Sequence, residues 1–520
     1  MKPRRKTPPG PRQRQPVVAA EGVRRLSGLD AAFGSMELPG QPMNGTGLLI
    51  LRPRIGPDGS PNPIAVNEIR RHVADRLGAL PAFRWRVVPV PFGLSQPVYV
   101  ADPTFDIARH VGEHVLQAPG TPEVLQAYYA EELARCLDRR RPLWRLTLVH
   151  GLAGGGQAAV LTVHHSVADG FAYLNLLLAL FGDLDHDAAS VSLPDRSPGA
   201  ARLVVDALGH RARTARRLPA LVRVSRTKAA AAKVESAASE VLTLDGRKTP
   251  ICPLNRVSTG RRTFAGTSLP MADLERIREI AQVTINDVAL ALVADALREY
   301  LSVRGSLPGQ PLVARVPIGL DRKGGPPRMF GNRISGLRTT LATDLVDPWE
   351  RLITISAVTA RAKRLLVVAG PGLLGEWLDQ IPPLLTGPLM RHQHRLHRRR
   401  PGKAAPDSNV VVSHVSGIPP GSSLLGAPLE AVYLSGPPSN GVGVNVLLTT
   451  YADQMFVGIV CVDAAVGEPR ELADGMRRAL AVLRTHAAAR QAAQQVPAGP
   501  RDVGVVVPSP SRDISAMEQV

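Results

Sequence analysis

The chain has 520 residues, of which 44% are hydrophobic and 4% aromatic, and its formal net charge is +19. Because this length exceeds what one ordinary core accommodates, we expect two large domains. The positive charge indicates an acidic partner, which can be nucleic acid, an anionic lipid surface or a polyphosphate compound. Nucleic acid is disfavoured, since aromatic residues are few and no zinc-finger, RRM-like or helix-turn-helix signature is present.

Cysteine usage and hydropathy narrow the class of protein further. The three cysteines, Cys136, Cys252 and Cys461, are too far apart for a disulfide framework, which favours free thiols in a reducing cytoplasm. The longest apolar runs are shorter than the roughly 18 to 20 residues of a membrane-spanning helix. The basic N-terminus lacks the apolar region of a secretory signal. We therefore expect a soluble cytoplasmic protein, or one bound to a membrane surface without crossing it.

In chain order, residues 1–20 form a basic, Pro- and Gln-rich tail that we expect to be disordered. Residues 21–185 alternate β-like runs with helical stretches, which predicts an α/β domain. The expected strands cover 45–51, 96–102, 144–152 and 158–165, and the expected helices cover 63–80, 122–137 and 171–181.

Residues 186–255 are rich in Ala, Arg and Ser and poor in strand formers. Within them, basic and apolar residues mix over Arg202–Lys228, which predicts a pair of basic amphipathic helices broken at Pro219. We interpret this region as the crossover between two domains.

The α/β pattern resumes over 256–489, the predicted second domain. Helices are expected over 273–283 and 286–303, the second beginning at an N-cap-like Thr-x-Asn-Asp, and strands over 311–319, 409–417, 443–451 and 455–463. Leu365–Arg400 is a second apolar and basic segment, and residues 490–520 are expected to be a disordered tail.

The stretch LTVHHSVADGFAYL, Leu161–Leu174, places two histidines where an apolar strand ends. Successive side chains on a strand face opposite sides of the sheet, so His164 and His165 have different roles. We interpret His165, the nearer to the strand end, as the chemically active residue and His164 as its hydrogen-bonded support. The alternative is that both are core histidines. A metal site or a serine nucleophile is disfavoured, because H-E-x-x-H, cysteine ligand spacing and G-x-S-x-G are all missing from the sequence.

Asp169 and Gly170 follow the two histidines and precede an expected helix. Asp169 suits the N-cap, where a carboxylate accepts backbone N–H bonds, and it can also pair with an arginine to fix the loop. Gly170 allows a positive φ or a close backbone approach. On this interpretation Asp169 positions the loop and transfers no proton.

The H-H-x-x-x-D-G block at 164–170 resembles the signature of the CoA-dependent acyltransferase superfamily. Further blocks resemble one family within it, the bacterial wax ester synthase/diacylglycerol acyltransferases. These blocks are Leu26–Leu51, Phe105–Val111, Leu137–Trp144 with its Pro-Leu-Trp, Thr284–Leu301 with Asn286-Asp287, Val316–Lys323, Gly331–Gly336 and Val410–Pro420. The resemblance runs from about Leu26 to Leu480, nearly the whole expected folded chain.

The resemblance implies two chloramphenicol-acetyltransferase-like domains, each a mixed β-sheet covered by helices, with an active-site tunnel between them. It also implies that His165, with a pKa near neutrality, is a general base for an alcohol that attacks the thioester of acyl-CoA. No metal, bound cofactor or acyl-enzyme is required. Asn286 and Asp287 are candidates for oxyanion stabilisation or, alternatively, for capping a helix. Pro142, Leu143 and Trp144 are expected to shape the tunnel wall or to lie in the core.

The implied product is triacylglycerol from diacylglycerol, wax ester from a fatty alcohol, or both. Alternatives are acylation of another lipid or polyketide hydroxyl, or a catalytically idle scaffold at lipid inclusions. Arg202–Lys228 and Leu365–Arg400 suit an anionic inner membrane or lipid-inclusion surface, unless they pack on the fold. Three positions depart from the family pattern: His414 stands where Asn is usual, Ile418 where Pro is usual and Thr450 where Ser is usual, which bears on the acceptor pocket.

Overall fold

The computed structural model describes residues 24–38, 40–181, 198–237, 248–256, 260–322, 324–399, 406–437, 441–462 and 468–495. These residues form two six-stranded mixed sheets and a three-stranded sheet, with helices packed against them. The predicted α/β class with two sheet-containing domains is therefore confirmed. The expected tail over 1–20 lies outside the described residues.

The first half of the chain builds most of one large sheet and the whole of the three-stranded sheet. The helices and strands of this half are β1 (Arg24–Arg25), α1 (Gly28–Met36), β2 (Asn44–Leu51), α2 (Val66–Arg76), β3 (Trp85–Val88), β4 (Val98–Ala101), β5 (Val111–Val115), α3 (Pro122–Ala134), β6 (Trp144–His150), β7 (Gln157–His164) and α4 (Gly170–Phe181). The three-stranded sheet has the order β1-β4-β3. Short 3₁₀ turns cover Pro81–Arg84, Pro91–Gly93 and Ile107–Arg109. Every residue of β7 is buried, because both faces of this central strand are covered.

The crossover consists of two helices, α5 (Ala200–Ala215) and α6 (Leu218–Ala237). The predicted break at Pro219 is wrong by two residues, since the helices separate at Arg216 and Arg217. Pro219 instead lies in the first turn of α6, where its missing N–H leaves no intrahelical bond unmade.

The second half of the chain builds the second large sheet. Its elements are β8 (Arg262–Pro270), α7 (Met271–Ala281), α8 (Ile285–Val303), β9 (Val313–Gly319), β10 (Ile334–Thr340), α9 (Pro348–Ala369), α10 (Leu373–Gln380), α11 (Pro383–Arg399), β11 (Val410–Ile418), β12 (Ser423–Leu424), β13 (Ala427–Ser435), β14 (Val444–Tyr451), β15 (Gln454–Val462) and α12 (Pro469–Gln495). Because α12 continues to Gln495, the expectation of disorder from residue 490 is wrong for its first six positions.

The second half contributes two strands to the sheet of the first half. The first sheet has the order β12-β13-β2-β7-β6-β5, so two strands from the second half complete it, with β13 antiparallel to β2. The second sheet has the order β10-β9-β11-β14-β15-β8. A boundary near residue 256 thus assigns most strands to the correct sheet. The exceptions are β12 and β13 (residues 423–435), which follow that boundary in the chain but lie in the first sheet.

The structure also describes the three cysteines and the apolar helices that were considered from the composition. Cys136 is exposed, Cys252 and Cys461 are buried, and all three are free thiols. Over the described ranges, no single helix has both the length and the apolar composition to span a membrane, and α7 with α8 meets that test only as a pair bent by 105°.

Candidate active site

His164 ends β7 and His165 follows it, and the two imidazoles occupy different surroundings, as their alternation requires. His164 is almost fully buried, with 1% of its surface exposed, while His165 is partly buried. The backbone N–H of His165 donates to the carbonyl of Met43 at 2.7 Å, which ties the residue to the start of β2.

The ring of His165 is oriented by an asparagine from the second half of the chain. Its Nδ1 lies 3.0 Å from Oδ1 of Asn332, and the Asn332 amide nitrogen donates to the His165 carbonyl at 2.7 Å. Because an amide oxygen only accepts hydrogen bonds, Nδ1 carries the hydrogen and Nε2 holds the lone pair. The ring also stacks on Phe33 with centroids 4.1 Å apart. This arrangement presents Nε2 as the basic nitrogen.

Helix α1 supplies the next member of this network, the buried carboxylate of Asp30. Both the backbone N–H and the side-chain amide of Asn332 donate to Asp30 Oδ1, at 2.8 and 2.7 Å. Ser27 caps α1 and exchanges hydrogen bonds with Asp30 in a capping box. Burial raises the pKa of Asp30 to about 6, against the opposing hydrogen bonds from Asn332 and Ser27.

Burial also lowers the pKa of His165 to about 4, although the negative charge of Asp169 opposes the shift. This value is lower than the near-neutral pKa expected from the sequence. Its consequence is that His165 is neutral at pH 7 and available as a proton acceptor.

His164 has its own acidic partner, Glu37, just after the end of α1. The Nε2 of His164 donates to the Glu37 carboxylate at 2.9 Å, and Nδ1 accepts from the backbone N–H of Ser166 at 3.0 Å. Although burial acts in the opposite direction, the hydrogen bond from His164 and the charge of Arg139 lower the pKa of Glu37 to about 2. His164 is therefore a fully bonded residue that anchors the strand end.

Asp169 caps α4 and pairs with an arginine, the two arrangements considered for it from the sequence. Its Oδ1 accepts from the backbone N–H of Ala172 at 3.0 Å. The Nη2 of Arg328 lies 2.8 Å from both Asp169 oxygens, and the backbone N–H of Arg333 donates to Asp169 Oδ2 at 2.7 Å. The loop after β7 is thereby fixed to the segment that precedes β10.

Gly170 does not have a positive φ, so that suggestion is wrong. The residue is instead a point of close approach, since a Cβ placed there would lie 3.3 Å from Cγ2 of Val415 on β11. The absence of a side chain allows β11 to pass directly over the start of α4.

Asn286 and Asp287 lie in the first turn of α8, which Thr284 caps. The alternative that Asn286 is the N-cap is wrong, because Thr284 and Asp287 form the capping box. Asp287 also accepts from the Ser356 hydroxyl at 3.1 Å, so its contacts are structural. Asn286 instead binds His414 on β11, with 2.8 Å between its Oδ1 and the ring Nδ1.

Pro142, Leu143 and Trp144 are buried, and the contacts of the last two are those of core residues. Trp144 stacks on Phe83 with centroids 4.1 Å apart and donates its indole N–H to the Phe83 carbonyl. The Leu143 carbonyl accepts from the backbone N–H of His164 at 3.0 Å. Leu143 and Trp144 thus support the histidine strand from within the core, rather than having the contacts of a tunnel wall.

Several site residues had no individual role in the sequence interpretation: Asp30, Phe33, Glu37, Arg328 and Asn332. All but Arg328 lie inside Leu26–Leu51 or Gly331–Gly336, so the sequence signal for each is a carboxylate, an aromatic ring or an amide within a block that resembles the family. Asn332 and Arg328 reach this loop through the contact between the two halves of the chain, and that contact has no periodicity in the sequence. In the part of the chain that the structure describes, no group of three or more His, Cys, Asp or Glu residues could hold a metal ion.

The chain has two sheet-containing domains and holds the H-H-x-x-x-D-G loop between them, with a neutral histidine at the start of the loop. These features define a protein of the CoA-dependent acyltransferase type. A family model of the wax ester synthase/diacylglycerol acyltransferase catalytic domain matches residues 26–289, and a model of the WS/DGAT C-terminal domain matches residues 330–484. The chain therefore belongs to the wax ester synthase/diacylglycerol acyltransferase family, and it is an acyltransferase.

A sequence relative agrees with the family assignment, and two solved structures share the fold. A Mycobacterium tuberculosis protein that carries the provisional name diacylglycerol O-acyltransferase is 32% identical over 470 residues, covering 88% of this chain and 96% of the relative. The wax ester synthase/diacylglycerol acyltransferase from Marinobacter aquaeolei VT8 has a similar fold, with a TM-score of 0.57 and 24% identity over 89% of this chain and all of that one. A trichothecene 15-O-acetyltransferase from Fusarium sporotrichioides shares the fold at a TM-score of 0.56 and 13% identity, covering 89% of this chain and 95% of that one.

Proposed function

We propose that this protein transfers a long acyl chain from acyl-CoA to the hydroxyl of diacylglycerol or of a fatty alcohol, with His165 as the general base. The observation that carries the residue assignment is the hydrogen bond from His165 Nδ1 to Asn332, which leaves the lone pair on Nε2. The substrate class follows from the names of the family and of its mycobacterial relatives. Acyl-CoA is a substrate in this proposal, and no bound cofactor takes part.

In the proposed reaction, Nε2 of His165 takes the proton of the alcohol as its oxygen attacks the thioester carbonyl. The tetrahedral intermediate then collapses, the C–S bond breaks, and the imidazolium returns the proton to the departing CoA sulfur. The positive ring donates through Nδ1 to Asn332, whose amide is held by the Asp30 carboxylate. This base contributes about 10²- to 10⁴-fold to the rate, and oxyanion stabilisation, for which Asn286 is the candidate donor, supplies a further part.

The test is turnover of labelled palmitoyl-CoA with diacylglycerol or hexadecanol by the purified protein. We expect His165→Ala to lose ester formation, because no other base is oriented at that position. His110→Ala is a matched control, since His110 is another imidazole of the same domain, buried and bonded to the Trp144 carbonyl, and it has no contact with the His165 site. Full activity of a folded His165→Ala protein would overturn the assignment, and no ester with any long-chain alcohol would favour the scaffold alternative.

We further propose that the protein works in the cytoplasm, docked peripherally on an anionic inner membrane or lipid-inclusion surface. Exposed apolar side chains cluster on α11, on α10 and on the 3₁₀ turn at Pro91–Gly93, which contacts α11. We call this cluster the apolar helical face; its members are Phe92, Leu374, Leu384, Leu385 and Leu389. Phe92 is 80% exposed, which is unusual for so large an apolar ring.

Basic side chains accompany the apolar helical face. Arg391 and Arg395 are exposed on α11, and Arg216 and Arg217 are exposed between α5 and α6, both of which contact α10. Apolar groups inserted at the lipid boundary with arginines at the headgroup level are typical of peripheral membrane binding. An acceptor such as diacylglycerol resides in that boundary, so docking brings the enzyme to its substrate.

Vesicle co-sedimentation tests the docking proposal. Phe92→Asp and Leu385→Asp should reduce binding to vesicles of phosphatidylglycerol and phosphatidylcholine, and raised salt should weaken binding of the unchanged protein. Val303→Asp is the matched control, because Val303 is 79% exposed and ends α8, outside the apolar helical face. Unchanged sedimentation of both face variants would refute the proposal.

A further inference from the structure

Asp30 is a buried carboxylate on α1, and it is bonded to the residue that orients the base. Its Oδ1 accepts from the backbone N–H and from the side-chain amide of Asn332, at 2.8 and 2.7 Å. The same amide nitrogen donates to the His165 carbonyl at 2.7 Å, and the amide oxygen lies 3.0 Å from His165 Nδ1. One residue, Asn332, therefore connects Asp30 to the imidazole.

Every hydrogen-bonding partner of the Asp30 carboxylate in the described part of the chain is a donor. Besides the two N–H groups of Asn332, the backbone N–H of Ser27 donates to Oδ2 at 3.1 Å. Only an ionised carboxylate satisfies all of these donors, because a protonated one turns its own O–H toward an N–H group. With 5% of its surface exposed, Asp30 also has little access to water that could accept that hydrogen.

The charged and titratable groups near Asp30 come from several elements. β1 contributes the positive charge of Arg24, β4 contributes Tyr99, whose pKa burial raises, and the segment before β10 contributes Arg333. α10 and α11 also pack on α1, and the Asp379 carboxylate of α10 accepts from a backbone N–H of that helix. The arginines favour the ionised form of Asp30 and Asp379 disfavours it, but none of these groups pairs directly with it in the residues that the structure describes.

The buried carboxylate and the buried imidazole take up protons at different pH. Burial raises the pKa of Asp30 to about 6, although hydrogen bonds from Asn332 and Ser27 oppose the rise. Burial lowers the pKa of His165 to about 4. As the pH falls from neutrality, Asp30 is therefore protonated while His165 is still in the neutral form that accepts a proton.

Protonation of Asp30 changes the environment of the Asn332 amide. The amide nitrogen loses its charged acceptor and is then held by the His165 carbonyl alone. A charged acceptor also polarises the amide and strengthens the bond that its oxygen accepts from Nδ1, most of all when the ring is an imidazolium. The protonated form thus orients the base less firmly and stabilises its positive charge less.

We propose that Asp30 is a positioning residue that acts only when ionised: through Asn332 it holds His165 with its hydrogen on Nδ1 and stabilises the imidazolium, so that uptake of a proton by Asp30 removes most of the activity in mildly acidic solution. This inference rests on the proposed function, because it takes His165 as the base. Asp30 itself does not touch the substrate.

The test is the pH dependence of kcat for the full-length protein with saturating palmitoyl-CoA and hexadecanol, from about pH 5 to about pH 8. The unchanged protein should lose kcat by about 10-fold or more as the pH falls through about 6, and we call this fall the acid limb. At pH 8, Asp30→Asn should lower kcat by about 10-fold or more with the KM for palmitoyl-CoA unchanged. Its profile should lack the acid limb, because no carboxylate remains at that position.

Asp287→Asn is the matched control for the loss of a helix cap. Asp287 is the acidic member of the α8 capping box, as Asp30 is in α1, and the two are 3% and 5% exposed. Both replacements weaken a capping box, so an effect of the helix start alone would appear in both variants. Asp287→Asn should retain the acid limb at the same pH.

Ser27→Ala gives a second readout that leaves Asp30 and Asn332 in place. Hydrogen bonding to the Ser27 side chain lowers the pKa of Asp30, so its removal should move the acid limb to higher pH. A weaker helix start by itself would instead lower kcat equally at every pH. This variant decides the question even where Asp30→Asn does not fold.

The outcomes separate this inference from the proposed function. An acid limb that persists in folded Asp30→Asn, or that stays at the same pH in Ser27→Ala, would overturn the role of Asp30. So would a kcat of the unchanged protein that is constant through pH 6. With His165→Ala inactive, each of these results leaves the proposed function intact, whereas activity of His165→Ala would overturn the proposed function itself.

Discussion

Replacing Asn332 with alanine tests how the base is oriented. The change removes the acceptor 3.0 Å from His165 Nδ1 and the amide donor to Asp30 and to the His165 carbonyl, both at 2.7 Å. The backbone N–H of residue 332 still reaches Asp30, so the buried carboxylate keeps one of its bonds. The imidazole is then free to rotate and to carry its hydrogen on either nitrogen.

The expected decrease in kcat follows from the hydrogen bond that the imidazolium of His165 loses. A hydrogen bond to a charged group contributes about 1.5 to 3 kcal/mol, and about 1.4 kcal/mol corresponds to tenfold in rate, so kcat should fall by roughly 10- to 150-fold. The loss should appear in kcat and in kcat/KM alike, because the bond is strongest once the ring is charged. Release of free CoA thiol from palmitoyl-CoA, followed over time, measures both.

Asn175→Ala is the control for this experiment. Its amide donates to the Arg328 carbonyl at 2.9 Å, so it is another asparagine bond between α4 and the segment before β10 that leaves His165 untouched. We expect its kcat to stay near that of the unchanged protein. A folded Asn332→Ala protein with unaltered kcat would refute the orienting role of Asn332.

Two further predictions concern stability. Arg328→Met leaves the buried Asp169 without its guanidinium partner at 2.8 Å, and it should lower the free energy of unfolding by about 3 to 5 kcal/mol in urea titrations; a midpoint shift no larger than that of the exposed-pair variant Arg140→Met would contradict this. The urea midpoint should also fall between pH 7 and pH 5. His165, His210 and His414 have pKa values of about 4, below the ordinary 6.5, and burial also lowers the pKa of His72 and His110, so the unfolded chain binds more protons in that range and acidification favours it. The raised pKa values of Asp30, Asp295 and Asp379 act oppositely, but as three groups against five, and an unchanged midpoint would refute the net direction.

The sequence was most informative where periodicity and capping act locally. Alternation on β7 separated the environments of His164 and His165, and the Thr-x-Asn-Asp pattern located the start of α8. Both features depend on residues within a few positions of each other. The same holds for Asp169, whose bond to the Ala172 N–H is a local property of the helix start.

The partners of these residues could not be predicted in the same way, because they come from distant parts of the chain. Asn332 follows His165 by 167 positions, and Arg328 follows Asp169 by 159. No spacing rule brings such pairs together; they meet because the two halves dock, and β12 and β13 of the second half hydrogen-bond into the first sheet at that contact. The sequence also does not show how deeply the folded chain buries His165, and that burial lowers its pKa below the near-neutral value expected.

The active site is therefore complete only when the second half of the chain is in contact with α1 and with the loop after β7 in the first half. α1 places Asp30 and Phe33 against Asn332 and His165, and its other side packs on α10 and α11, which carry most of the apolar helical face. Gly28 makes that contact very close: its N–H donates to Asp379, and a Cβ there would lie 2.2 Å from the backbone of Leu378. Because nothing larger than glycine fits, α10 cannot move closer to α1 unless α1 moves as well. The surface proposed to meet the lipid and the residues that orient His165 are thus joined by one short helix.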